Sequence, residues 1–274
     1  MKLLIAVDME GITGVTNWDH VTPSHPEYQR MRRLMTADVN AAIAGALDAG
    51  VDEIIVSDGH WDGQNILIEE LDPRARINAG NLAPYSMVSG IETGVNAAFF
   101  IGYHARAGAS PAILDHTWSS VRVANLWLNG RISGETGLNA AVCGHFGAPV
   151  LLVSGDQTVA AEALEWIPQI TTVQVKRATS RHSAECLAPA VSQPKIREAA
   201  AQAVRKFTAG QGPAPLRLSS PVTVTLEFFT SAMTDAASVL PGAKRLDGRK
   251  LEVQCADMDE AYRSFRALVR MAAV

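Results

Sequence analysis

The chain has 274 residues, 47% of them hydrophobic, which is enough for a large buried core in one big domain or in two lobes. A formal net charge of −4, with no basic run or aromatic-interleaved basic stripe, argues against nucleic acid as a partner. No apolar run approaches the ~20 residues needed to span a bilayer, no basic-then-apolar leader is read at the start, and Cys143, Cys186 and Cys255 are too few and scattered for a disulfide frame, so a cytoplasmic setting is expected.

Residues 2–7 are a short apolar run that reads as a buried strand of a parallel sheet. It ends in Asp8 and Glu10, two carboxylates two residues apart, followed by Gly11 and Gly14. In open α/β sheets ligands gather at the carboxyl ends of such strands, and two carboxylates there repel unless a proton or a cation lies between them. A polar, Pro-containing stretch over 17–27 carries Trp18, His20 and His25. Apolar residues Met31, Leu34, Met35, Val39, Ile43 and Leu47 then predict a helix over 28–49, with Gly50 as its stop. A second strand over 52–57 delivers Asp58, Gly59 and His60, completing a βαβ unit.

A small helix is expected near Ser86, and residues 96–101 repeat the pattern of an apolar strand, here ending at Gly102 and His104. The strand over 121–128 turns back at Asn129-Gly130, a strong hairpin signal. Gly134 and Glu135 open a helix running to about Phe146; a buried strand over 149–154 and a helix over 157–166 follow. From Thr171 the texture changes to alternating strands (171–175, 222–229 and 251–255) with helices around Ile196, Ala200 and Val204 and over 257–272. The expectation is an α/β fold: a mainly parallel sheet flanked by helices in a catalytic lobe (1–168), and a smaller α/β lobe with a mixed sheet (169–274) that supports it or mediates assembly, the two forming either separate lobes or one continuous domain.

The strand and helix ends thus supply Asp8, Glu10, His60, His104 and Glu135, with Gly11, Gly59, Gly102 and Gly134 close by to permit close backbone approach. If the strands are adjacent and parallel, these groups converge on one edge. Carboxylate and imidazole together suit Zn²⁺ or a related transition metal better than Mg²⁺ or Ca²⁺. Three carboxylates and two imidazoles exceed one tetrahedral site and suit two metals about 3.5–4 Å apart. Glu135 also fits the plainer role of an acid at a helix N-terminus. No G-x-S-x-G elbow, P-loop or dinucleotide fingerprint is present.

The strings Asp8-Met9-Glu10-Gly11-Ile12-Thr13-Gly14, Ser57-Asp58-Gly59-His60, Gly102-Tyr103-His104-Ala105, Asp115-His116-Thr117-Trp118 and Gly134-Glu135-Thr136-Gly137 resemble the zinc D-aminopeptidase family, peptidase family M55. The resemblance implies an α/β enzyme with two zinc ions per subunit that removes N-terminal D-residues from short peptides by metal-activated water, and a decameric ring of two stacked pentamers. It implies that Asp8 bridges the metals, that Glu10, His60, His104 and Glu135 complete their ligands, and that His116 acts as nucleophile, acid/base or oxyanion stabiliser. Asp58 and Asp115 are expected to accept the second N–H of ligating imidazoles. Other dizinc hydrolases (an amidase or a lactonase) and a non-catalytic peptide-binding protein are the alternatives.

Overall fold

The computed structural model describes residues 1–80 and 83–274. In chain order the elements are β1 (Lys2–Val7), α1 (Pro26–Asp48), β2 (Glu53–Asp58), β3 (Ala75–Asn78), β4 (Ala97–Ile101), β5 (Val123–Leu128), β6 (Arg131–Ser133), α2 (Glu135–His145), β7 (Val150–Gly155) and α3 (Gln157–Trp166). They continue with β8 (Thr171–Gln174), β9 (Lys176–Ser180), β10 (Ser183–Cys186), α4 (Pro189–Thr208), β11 (Val222–Phe228), α5 (Ser231–Ala237), β12 (Lys244–Arg245), β13 (Lys250–Cys255) and α6 (Met258–Met271).

Strands β1, β4 and β7 are continuous apolar runs because both faces of their sheet are covered. That sheet is parallel throughout, in the order β3-β2-β1-β4-β7-β8. On one face α1 and α4 pack together, presenting Met31, Met35, Val39 and Ile43 with Ile196, Ala200 and Val204. On the other face α2 and α3 cover the sheet, and α2 meets α6, which lies on β11 and β13. This second sheet, β12-β13-β11-β5-β6, pairs antiparallel throughout and draws β5 and β6 from the first half of the chain. A separate hairpin joins β9 and β10.

The strand order reverses between β1 and β4. The chain steps outward from β1 to β2 and β3, then returns to the other side of β1 for β4, β7 and β8. Such a reversal opens a crevice at the carboxyl ends of the strands. Here the crevice is pinned by backbone contacts: Asp8 N donates to Ile101 O (2.9 Å), Gly11 N to Gly102 O (2.8 Å) and Gly59 N to Val7 O (2.9 Å). A Cβ on Gly11 would collide with the Tyr103 carbonyl, and one on Gly102 with that of Asp8. The two glycines let the ends of β1 and β4 close on each other, which brings the polar residues beyond them together.

Candidate metal centre

All five expected ligands converge at this crevice. Asp8 and Glu10 leave β1, His60 leaves β2, His104 leaves β4, and Glu135 is the first residue of α2. None is more than 5% exposed. Asp8 sits at the centre. Its Oδ1 lies 3.2 Å from His60 Nδ1, and its Oδ2 lies 3.3 Å from His104 Nε2. Glu10 Oε2 approaches the same His60 nitrogen at 3.2 Å, and Glu135 Oε1 approaches His104 Nε2 at 3.1 Å. His116 joins them: its ring stacks on His104 with centroids 4.0 Å apart, and its Nε2 is 3.9 Å from Glu135 Oε1.

Each imidazole has its other nitrogen against a backbone carbonyl: His60 Nε2 on Val21 O (2.8 Å), His104 Nδ1 on Ala105 O (2.9 Å) and His116 Nδ1 on Leu114 O (2.8 Å). A carbonyl accepts only, so each of these nitrogens carries its hydrogen. In the neutral ring the remaining nitrogen is then a lone pair. His60 and His104 would point lone pairs at carboxylate oxygens, an arrangement that requires a cation or a second proton on each ring. Glu10 Oε2 and His104 Nε2 are buried without a hydrogen-bond partner in the protein, as metal donors are.

The electrostatics agree. Burial pushes the carboxyl of Asp8 up, but the His104 and His60 rings that face it outweigh this and hold its pKa well below the ordinary value. Burial likewise opposes charging of His60 and His104, yet Glu10 and Asp8 raise the former and Glu135 and Asp8 the latter well above the usual histidine range. Without metal, protons occupy the positions where a cation fits. His116 behaves differently: burial, reinforced by the charge on His104, lowers its pKa and favours the neutral ring.

Donor atoms of Asp8, Glu10 and His104 all lie within 4.8 Å of one another, as do those of His104, His116 and Glu135. The residues therefore fit metal ions, and the mixture of carboxylate and imidazole favours zinc over the oxygen-seeking divalent ions.

The expected supporting acids do other work. Asp58 accepts from Asn65 N (2.6 Å), Asn65 Nδ2 (2.7 Å) and Ile66 N (2.8 Å). Asp115 pairs with Arg181 at 2.8 Å and accepts from Gly108 N at 2.7 Å. The histidines are oriented by main-chain carbonyls instead, which a sequence does not display. Trp118 N donates to Glu135 Oε1 (2.7 Å) and fixes that carboxylate. Leu114 and Trp118, on either side of His116, hold positive φ of 50° and 63°, backbone strain of the kind stored at functional sites.

The most unexpected support is Lys176, at the start of β9 and 2% exposed. Its Nζ donates to the carbonyls of Glu10 (2.5 Å), Ile12 (2.9 Å) and Val15 (2.7 Å). All three ammonium hydrogens are used, and the loop that carries Glu10 is wrapped around them. Burial lowers this lysine's pKa to about 8, which leaves it charged at neutral pH.

A buried, multi-carboxylate, multi-histidine cluster at the switch point of a parallel sheet, opening into a cavity, defines the class of metal-dependent hydrolytic sites. The sequence profile of the peptidase M55 D-aminopeptidase family matches residues 1–267, and the chain belongs to this family. The D-aminopeptidase of Bacillus subtilis (strain 168) is 36% identical over 273 residues, covering 99% of this chain and 98% of that protein. A solved structure of the Zn-dependent D-aminopeptidase DppA from Bacillus subtilis, described as a self-compartmentalizing protease, superimposes with a TM-score of 0.95 at 36% identity, covering 99% of this chain and 98% of the other.

Proposed function

We propose that the protein is a zinc-dependent aminopeptidase that removes N-terminal D-residues from short peptides. In this reading Asp8, Glu10, His60, His104 and Glu135 hold two ions per subunit and His116 manages the proton. The observation that carries it is the pair of imidazoles, His60 and His104, whose hydrogens are committed to carbonyls while their other nitrogens face buried carboxylates at 3.1–3.3 Å. Asp8 would be shared between the two ions, since its two oxygens face different rings.

Zinc bound there supplies a Lewis acid and lowers the pKa of a water molecule towards neutrality. His116 lines the cavity with Nδ1 held by Leu114, and Trp18 packs edge-on against its ring. Neutral because of its lowered pKa, it accepts a proton from the attacking water through Nε2 and returns it to the departing amine. In its protonated form it also offers an N–H to the oxygen on which negative charge develops. His104, stacked on it, and Leu114 O keep the ring in register for both tasks.

We extend the reading to a cytoplasmic homodecamer of two stacked pentamers, with 169–274 in a supporting or assembly role. Its support is the likeness to a relative described as self-compartmentalizing, together with the finding that no helix among the described residues is long and apolar enough to cross a membrane. Light scattering reads it directly as ten copies of a 29.2 kDa chain.

The test of activity is release of amino acids from matched D- and L-dipeptides, before chelation, after chelation and after zinc is returned. D-selective release that disappears and recovers is the expected result. Two ions retained per chain with no dipeptide hydrolysed would overturn the peptidase reading in favour of amides or lactones.

A further inference from the structure

The cavity over the metal centre is charged at more than one place. Its volume is about 790 Å³, within the range that encloses small ligands. Asp8, Glu10 and Glu135 line it at the sheet edge, whereas Arg122, Arg266 and Arg270 line it from the segment before β5 and from α6. Among the described residues no carboxylate lies within ion-pairing distance of any of these three guanidiniums. Arg263, on the same helix, shows the contrast, because Asp259 neutralises it.

Arg266 is the best prepared of the three. One nitrogen, Nη1, donates to the carbonyls of Ala83 (2.8 Å) and Pro84, and the guanidinium lies 5.8 Å from the centroid of the Tyr262 ring. Tyr262 is itself fixed by its hydroxyl, which donates to Tyr85 O at 3.0 Å. The charged group is thus held in place through backbone carbonyls and an aromatic ring, without an acid that cancels its charge. A planar guanidinium held this way is suited to a carboxylate, which it binds through paired N–H groups.

We propose that Arg266, assisted by Arg122 and Arg270, binds the C-terminal carboxylate of the peptide, so that the substrates are short zwitterionic peptides with a free C-terminus. The proposal rests on the aminopeptidase reading. The amine end of such a peptide lies at the acidic edge and its carboxylate at the arginines. A reversed peptide sets its ammonium against the arginines, like charge against like, and is disfavoured there. Blocked peptides, and long chains whose terminal carboxylate lies far from the scissile bond, lose the anchor.

The experiment compares a D-Ala dipeptide with its C-terminal amide, using zinc-loaded enzyme. Wild type is expected to favour the free acid by about tenfold or more, chiefly through KM, as a charge-assisted contact provides. Arg266→Gln is expected to move the acid-to-amide ratio of kcat/KM towards one, and Arg122→Ala, whose guanidinium has no partner to lose among the described residues, to lower it by a smaller factor. General damage to the fold acts on both substrates alike and leaves the ratio where it was. An equal preference in wild type, or a ratio that neither substitution moves, overturns the proposal alone. Hydrolysis of neither substrate overturns the aminopeptidase reading and this proposal with it.

Discussion

The loop after β1 separates two buried polar clusters that are satisfied in opposite ways. Behind the loop, Lys176 gives all three of its hydrogens to the carbonyls of Glu10, Ile12 and Val15. Asp38 there accepts from Thr13 N and Thr13 Oγ1 at 3.0 and 3.2 Å. In front of the loop, Asp8, Glu10 and Glu135 face His60 and His104, and Glu10 Oε2 and His104 Nε2 lack hydrogen-bond partners within the protein. The chain supplies its own cation where the loop must be rigid. It leaves the cationic position to be filled from outside where chemistry is done. Unpaired buried polar atoms mean different things beside these two clusters: behind the loop they would be a defect, and in front they mark a binding site.

The largest effect that can break this comparison is at its centre. Asp8→Ala removes the carboxylate facing both rings, and is expected to abolish metal retention and lower turnover by ~10³-fold or more. Metal content and turnover measured on the same sample check it, and two ions retained per chain would contradict it. His116→Ala separates metal holding from proton handling. Turnover is expected to fall by roughly 10²–10⁴-fold while metal content stays at the wild-type level. Loss of metal in that variant would make His116 a ligand instead.

Behind the loop the expected effect is on folding. Lys176→Met leaves the carbonyls of Glu10 and Val15 buried without this donor, and is expected to lower the unfolding free energy by about 3 kcal/mol even in metal-free protein. Urea unfolding after chelation is the measurement, and an unchanged midpoint would show that the loop does not depend on the ammonium.

An effect on stability of similar size is a pH dependence. Burial raises the carboxyl of Asp38 from 3.8 to about 6, against the opposing hydrogen bonds from Thr13. Between those values the folded chain keeps a proton that the unfolded chain has lost, so stability falls as pH rises through the window, by about 3 kcal/mol in all. Asp38→Asn is expected to remove this contribution. Denaturation midpoints collected from pH 4 to pH 7 for both proteins would show it, and parallel curves would contradict it.

Much of the front cluster was legible because parallel strands advertise themselves. The runs ending at Val7, Asp58 and Ile101 are apolar and short, and the acids and histidines beyond them stand beside glycines that the close approach of strand ends requires. Glu135 was legible as the first residue of a helix after Gly134. The supports were not. The histidines are aligned by the carbonyls of Val21, Ala105 and Leu114, and every residue has a carbonyl. Asp58 and Asp115 carry the right side chains for that task but are consumed by Asn65 and Arg181. Lys176 meets residues more than 160 positions away and sits in a stretch whose hairpin, β9 with β10, has too weak an alternation to be read. Arg266 belongs to a helix whose apolar face was evident, and its polar face gave no sign of lining a cavity.

The most direct test of the front cluster is calorimetric titration of zinc into chelated protein at neutral pH, in buffers of differing ionisation enthalpy. Burial opposes charging of His60 and His104, but their neighbouring carboxylates raise both well above 6.5, which favours protonated rings in the metal-free protein. Binding must displace both protons. The expected result is two ions bound per chain with release of about two protons, and an affinity that weakens as pH falls. Binding of one ion or none, or binding with no proton released, would contradict it.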